Sequence, residues 1–284
     1  MRVVTYEDAG KARPGIVKDN IVIDLSAVGF RSVLELIEAG SHGLAKAEKL
    51  AADTPGGAQR PLSDVKLLAP IPRPGKLICV GLNYLDHAKE TGAEIPKVPT
   101  IFNKFNTAVI GPGESIILPK VSKAPDFEAE FAFVIGRGGR HISKENWKNH
   151  VFGYTLVNDV SARDYQRATT QWLMGKTFDT FAPMGPWIVT ADEIADPHDL
   201  DIELEIDGEI LQDSNTRELI FKVPDLIAFL SSVFTLEPGD VVSTGTPSGV
   251  GFARKPPRYL RAGEEITVRI SGIGELKNRT VAEA

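Results

Sequence analysis

Two glutamates, Glu128 and Glu130, stand two residues apart in an otherwise apolar run, Asp126-Phe127-Glu128-Ala129-Glu130-Phe131-Ala132-Phe133-Val134-Ile135-Gly136. The β-branched and aromatic residues, closed by Gly136-Arg137-Gly138-Gly139, read as a strand. Side chains alternate along a strand, so the two carboxylates share one face. Phe127, Ala129, Phe131, Phe133 and Ile135 share the other. At a rise of roughly 3.3 Å per residue the carboxylates start about 6.6 Å apart and can lean toward one point. Two like charges there are destabilising unless something positive lies between them. A hard divalent cation with oxygen ligands, Mg²⁺ or Mn²⁺, would serve. An edge strand with a wet face would also accommodate both glutamates.

Asp159 follows a second apolar strand, Val151 to Asn158, at the kind of strand end where sites collect. It offers a third carboxylate for an ion, or else a cap for a helix beginning near Ser161-Ala162-Arg163. His87 and Glu90 are three apart in a predicted helix over Asn83 to Thr91 and so share a face. There the carboxylate can fix the imidazole tautomer and make it a better base, or the two can form an ordinary surface pair. Lys104 on a short strand and Lys176 after Met174-Gly175 are unusual places for lysine, suited to holding an anion or delivering a proton. Snorkelling to solvent is the alternative. Arg163 and Gln166 are also three apart and can face one site. The run Ser243-Thr244-Gly245-Thr246-Pro247-Ser248-Gly249-Val250-Gly251 suggests anion binding through Thr246 and backbone N–H groups, or a plain tight turn. It lacks the Gly-Lys-Ser/Thr of a P-loop, and Pro256-Pro257 follows where a dinucleotide fold would start a helix.

The elements that must position these residues are mostly strands. Residues 1–70 read as a small unit with strands at Val3–Tyr6, Gly15–Val17 and Ile21–Asp24. Helices follow at Ser32–Ala39, with Gly40 past its end, and at Gly43–Ala52, ended by Thr54-Pro55-Gly56-Gly57. Ile71-Pro72-Arg73-Pro74-Gly75 marks a joint, so the expected division is 1–70 and 71–284. Beyond it, Lys76–Gly81, Ile101–Lys104, Val151–Asn158, Val241–Ser243, Glu265–Ile270 and Asn278–Val281 read as strands. Leu200–Ser214 reads as a hairpin turning at Asp207-Gly208. Helices are expected at Ser143–His150 and Pro224–Val233. Strands outnumber helices without regular alternation, which predicts a β-rich α+β sandwich or roll rather than a doubly wound sheet.

The 284 residues carry 32 Lys and Arg against 38 Asp and Glu, a formal net charge of −6 that argues against a nucleic-acid partner. The basic cluster Arg254, Lys255, Arg258 and Arg261 reads as a surface loop around two prolines. Cys79 is the single cysteine, so no intrachain disulfide can form; in the run Leu77-Ile78-Cys79-Val80 it reads as an inert buried thiol. No apolar run reaches the ~18 residues of a membrane span and the first residues lack a signal-peptide core, so a cytoplasmic protein with no membrane partner is expected.

In order, Val80-Gly81-Leu82-Asn83-Tyr84-Leu85-Asp86-His87, Asp126-Phe127-Glu128-Ala129-Glu130, Asn158-Asp159-Val160-Ser161-Ala162-Arg163-Asp164, Gly175-Lys176-Thr177-Phe178-Asp179 and Thr244-Gly245-Thr246-Pro247 resemble the fumarylacetoacetate hydrolase family over roughly residues 70–284. The resemblance implies a mixed β-sandwich roll, a variable amino-terminal domain and a homodimer. It implies Glu128, Glu130 and Asp159 as ligands of Mg²⁺ (or Mn²⁺), His87 as general base with Glu90 as its partner, and Lys176 near the bond that changes. Arg163, Gln166 and Thr246 fall at substrate-binding or supporting positions, and Lys104 matches a lysine common near the site. The leading expectation is hydrolytic C–C cleavage of acylpyruvate-type keto acids. Keto–enol tautomerase or isomerase chemistry on oxaloacetate or hydroxymuconate-type acids, or decarboxylation, needs the same groups. A metal-dependent binding protein without turnover is the third reading, disfavoured because a pure binder needs no base.

Overall fold

The strand Ala129–Ile135 runs antiparallel to Val151–Asn158 on one side and to Val241–Ser243 on the other, and all seven of its residues are buried. The wet-face alternative for Glu128 and Glu130 is therefore wrong: the strand is central. These relations come from a computed structural model that describes residues 1–53 and 58–284; the helix stop expected at 54–57 lies outside the described residues.

Both faces of this strand are apolar, for different partners. Phe127, Ala129, Phe131, Phe133 and Ile135 pack with Ile202, Leu204, Ile266 and Val268 of a five-stranded sheet. Ala132 and Val134, on the same side as the glutamates, pack with Leu77, Ile188, Val3 and Ile16. The alternation expected of a strand thus holds, with two apolar cores in place of a core and a solvent face. Only at its amino-terminal end does the second face turn polar, and there Glu128 and Glu130 emerge.

Among the described residues the large sheet has twelve strands. Its path runs Gln59–Pro61, Ile21–Asp24, Lys11–Lys18, Arg2–Asp8, Ala182–Thr190, Val151–Asn158, Ala129–Ile135, Val241–Ser243, Leu77–Gly81, Thr100–Asn103. Lys66–Leu68 pairs with Arg2–Asp8, and Val109–Ile110 with Ala182–Thr190. The smaller sheet runs Glu209–Asn215, Asp201–Ile206, Glu265–Ile270, Gly274–Ala282, Ile116–Leu118. Pairing is mostly antiparallel; Val241–Ser243 with Leu77–Gly81, Gly274–Ala282 with Ile116–Leu118 and Ala182–Thr190 with Val109–Ile110 are parallel. Two packed sheets of mixed direction with short helices make the β-rich α+β architecture that the pattern predicts.

Several expected elements fall where the residues place them. Val151–Asn158, Val241–Ser243 and Glu265–Ile270 match residue for residue. The hairpin turns at Asp207 and Gly208, both with positive φ, as a two-residue loop requires. Others differ. Gly40, with φ +56°, follows the first helix, Val33–Glu38, and its cap Ala39, and it also opens the second, Gly40–Asp53, which was expected from Gly43. Lys144–His150 is a 3₁₀ helix. After Asp159 the chain forms a two-residue strand, Ser161–Ala162, before the helix Arg163–Gln166, whose cap is Ala162; Asp159 caps nothing. Among the described residues, no helix is long and apolar enough to cross a membrane.

Candidate active site

Strand pairing brings the three acids together. Ala129 is opposite Asn158, so Glu128 and Asp159 both lie just beyond the last pair, where the Asp159 N–H donates to the Glu128 carbonyl at 2.9 Å. Asn158 closes the end by accepting the Glu128 N–H through its side chain at 3.1 Å. One carboxylate oxygen from each of Glu128, Glu130 and Asp159 lies within 4.8 Å of the others, and all three residues are buried.

Each carboxylate is fixed from outside. Lys176 Nζ donates to Glu128 at 2.6 Å and to Asp159 at 2.7 Å. Lys104 Nζ donates to the other Asp159 oxygen and, at 2.9 Å, to the Val160 carbonyl. Arg163 pairs with Glu128 at 2.6 Å and with Asp126 at 2.8 Å, and donates to the Gln166 carbonyl oxygen at 2.9 Å. Glu130 differs. Its Oε2 accepts from the Ser243 hydroxyl and the Gly245 N–H, and among the described residues no cation pairs with it. The loop reaches it because Gly245 has φ +95°, and a Cβ there would stand 2.9 Å from Val80 O and from the Asn83 Cβ.

The electrostatics follow. Burial pushes the Glu130 carboxyl well above the usual range, and Asp159 and Glu128 push it the same way. Burial acts on Glu128 in the same sense, but Arg163 and Lys176 overcome it and hold that carboxyl at about 2. Burial opposes the Lys176 charge, and Asp159 and Glu128 outweigh it, so Lys176 stays an ammonium. Four buried carboxylates (Asp126, Glu128, Glu130 and Asp159) face three buried cations (Lys104, Arg163 and Lys176). Among the described residues, the carboxyl left without a cationic partner is that of Glu130. A buried carboxylate without a cationic partner, beside two others and offering hard oxygen donors, fits a divalent metal ion.

His87 reaches this cluster from the helix Leu85–Thr91, ended by Gly92 at φ +66°. Its Nδ1 lies 3.0 Å from one Glu90 oxygen, and the other Glu90 oxygen accepts the Gly249 N–H at 2.9 Å. His87 is only 7% exposed, so the surface-pair alternative fails. Asp86 accepts the His87 N–H at 2.7 Å and the Ser214 hydroxyl at 2.6 Å, tying the helix to the smaller sheet.

His87, Glu128, Glu130, Arg163, Gln166, Lys176 and Thr246 line one cavity of about 330 Å³, with Phe102, Arg167, Trp172 and Phe252 completing its wall. Asp159 lies beneath Lys176 and Glu90 backs His87. Lys104 has no side-chain exposure and holds Asp159 from behind, rather than standing on this wall. Neither lysine snorkels: the Lys176 side chain is likewise 3% exposed. A cavity of about 440 Å³ beside Ile101 and Phe105 has no carboxylate in its lining. Cys79 is fully buried, and burial raises its thiol well above the usual value, as befits an inert side chain. Arg254 is tied to the carbonyls of Gly249 and Leu211, and Arg258 to Glu264, so these two members of the basic cluster brace their own loop.

Three supporting residues carry no mark in the sequence. Asp126 accepts from the N–H groups of Phe127, Gly251 and Phe252 at 2.8–3.0 Å and from Arg163 at 2.8 Å, so one carboxylate fastens a loop and a guanidinium. Gln212 accepts the Ala129 N–H and donates to Thr246 Oγ1, both at 2.8 Å. The Thr246 hydroxyl, having accepted there, keeps its own proton to donate. Phe252 lies under Arg163 and edge-on to His87. Asp126 stands beside the acidic pair, but only the fold shows that its partners come from residues 163 and 251–252.

A two-sheet roll with buried carboxylates at a strand end and a histidine–glutamate pair above them defines an enzyme class, and residues 76–281 match the family model for the fumarylacetoacetate (FAA) hydrolase C-terminal region. The chain belongs to the fumarylacetoacetate hydrolase family. It is 49% identical over 253 residues to a Rattus norvegicus protein named oxaloacetate tautomerase Fahd2a, mitochondrial, covering 88% of this chain and 80% of the relative. Among solved structures it resembles fumarylacetoacetate hydrolase from Exiguobacterium antarcticum, with TM-score 0.88, 38% identity and full coverage of both chains. It also resembles maleylpyruvate hydrolase from Sphingobium sp. SYK-6 in complex with manganese(II) ion and pyruvate, with TM-score 0.84, 32% identity and full coverage of both.

Proposed function

We propose that this enzyme is a Mg²⁺-dependent keto–enol tautomerase of 2-oxo dicarboxylates of the oxaloacetate type. The observation that carries the reading is a buried histidine, held by a carboxylate, on the wall of the same cavity as the carboxylate cluster. One proton-moving group beside an acid-binding site is what tautomerisation needs. The relative named oxaloacetate tautomerase supports this order over C–C hydrolysis, which the sequence placed first.

Glu128, Glu130 and Asp159 would hold the cation, which supplies Lewis-acid polarisation of the 2-oxo group and stabilises negative charge developing there. An ionised carboxylate only accepts, so His87 Nδ1–H donates to Glu90 and leaves the lone pair on Nε2. His87 Nε2 takes a proton from C3, the C–H electron pair becomes the C2=C3 bond, and the carbonyl π pair moves to oxygen. Lys176, charged and on the cavity wall, returns a proton to that oxygen. Arg163 keeps Glu128 ionised.

Enol absorbance with Mg²⁺ and oxaloacetate tests this. His87→Gln should slow turnover about 10²–10⁴-fold, and Glu128→Ala should lose both metal binding and turnover. Full activity of Glu128→Ala in chelator would end the proposal. Hydrolysis is the second reading, supported by the likeness to maleylpyruvate hydrolase and by the same histidine's capacity to deprotonate water. Acylpyruvates in H₂¹⁸O separate the two: label enters a new carboxylate only if water cleaves the C–C bond. Binding without turnover across both substrate classes would instead favour a non-catalytic binder. A homodimer belongs to the same reading, and sedimentation of the purified protein checks it.

A further inference from the structure

Three cations line the cavity, and two of them are already engaged. Lys176 is shared between Glu128 and Asp159, and Arg163 between Asp126 and Glu128. Arg167 is different. It lies one helical turn past Arg163, at the end of the helix Arg163–Gln166, and is exposed. Among the described residues its side chain has no ion pair and no hydrogen bond. Its guanidinium carbon stands 4.3 Å over the Phe252 ring, and Asp126 fixes Phe252 through its N–H. The wall therefore presents one guanidinium held by an aromatic face with its donors unspent. Four residues of helix carry the chain about 6 Å along its axis. Arg163 touches the metal-side acid Glu128 and stands 4.5 Å from the same Phe252 ring, so the two guanidinium carbons lie no more than about 9 Å apart, within reach of one small diacid.

We propose that Arg167 is a specificity-determining residue that binds the distal carboxylate of the substrate, so that the site prefers 2-oxo and 2-hydroxy dicarboxylates to the corresponding monocarboxylates. The proposal rests on the reading above that the 2-oxo acid end of the substrate sits at Glu128, Glu130 and Asp159. A planar guanidinium matches a carboxylate with two parallel N–H···O bonds, and no protein carboxylate competes for this one. Arg163 is the poorer candidate, because it is buried, its charge is already paired with Asp126 and Glu128, and it donates to the Gln166 side chain.

Calorimetry of the Mg²⁺-loaded protein with malate and with 2-hydroxybutanoate isolates the distal carboxylate without requiring turnover. The wild type should bind malate about tenfold or more tightly. Arg167→Met should bring the two ligands to within about twofold, chiefly by weakening malate, and Arg167→Lys should keep part of the preference. An unchanged preference in Arg167→Met, equal weakening of both ligands, or no preference in the wild type overturns the proposal. Circular dichroism and thermal melting of each variant identify misfolding, and Arg167→Lys then supplies the comparison. Absence of oxaloacetate tautomerisation together with an intact, Arg167-dependent preference would remove the proposed reaction and leave the subsite standing.

Discussion

Glu130 and Lys104 show how the same kind of residue can be forward or hidden in this site. Glu130 keeps one oxygen on Ser243 and Gly245, so Ser243→Ala removes an orienting bond and leaves the carboxylate in place; Mg²⁺ affinity by calorimetry should fall about 10–100-fold. Lys104, fully buried, neutralises Asp159. Lys104→Met leaves that carboxylate with Lys176 alone, and urea unfolding in chelator should register a loss of about 3–5 kcal/mol. The paired glutamates were legible in the sequence, because charge inside an apolar run needs a reason; His87 and Lys176 showed only as candidates, by the spacing to Glu90 and the place beside Gly175, with a surface pair and a snorkelling lysine as the alternatives. The place of Lys104 was not legible: its neighbours describe a lysine on a strand, and only the fold says which carboxylate it meets. Arg167 was equally silent, since an arginine at a helix end is ordinary until its neighbours are seen to be spoken for.

At the level of elements, the loop Ser243–Gly251 joins the two halves of the site. Gly245 supplies an N–H to Glu130, and Gly249 supplies one to Glu90, the residue holding His87. Gly245→Ala puts a Cβ at positive φ and against Val80 O, so the loop must move. Thermal melts should show destabilisation of at least about 1–2 kcal/mol, and Mg²⁺ affinity should fall with it. The longest of the strands that the sequence hid is Ala182–Thr190, Ala-Pro-Met-Gly-Pro-Trp-Ile-Val-Thr, which lies between Arg2–Asp8 and Val151–Asn158. Pro183 and Pro186 cannot donate to a ladder and argue against a central strand. The pairing accommodates them: Pro183 lies at the end that pairs with Ile110, and the partnering with Val151–Asn158 shifts register between Tyr154 and Leu156. Leu200–Ser214 was legible for the opposite reason, with strict alternation and a turn dipeptide that only one geometry suits.

For the whole molecule, every candidate site residue lies beyond residue 71, yet the chain before it is woven into the same sheet. Arg2 and Val3 pair with Val189 and Ile188, and Val3, Ile16 and Ile23 share an apolar core with Leu77, Ala132 and Val134. A fragment of residues 71–284 should therefore expose the edge of Ala182–Thr190 and lose the cooperative melt of the full chain, while gaining less stability from Mg²⁺; scanning calorimetry of both proteins compares them. The same pairing sets an order of events. Strand Arg2–Asp8 has near neighbours in Lys11–Lys18 and Lys66–Leu68, and a third, Ala182–Thr190, almost two hundred residues later in the chain. Strands Arg2–Asp8, Lys11–Lys18 and Ile21–Asp24 can form their local meander early and Lys66–Leu68 can cover Thr5–Glu7, but the Arg2–Val3 end of that edge must wait for Ala182–Thr190 to emerge. Until then that short end can pair with any extended chain, and a nascent-chain chaperone that covers it would raise the yield of active enzyme.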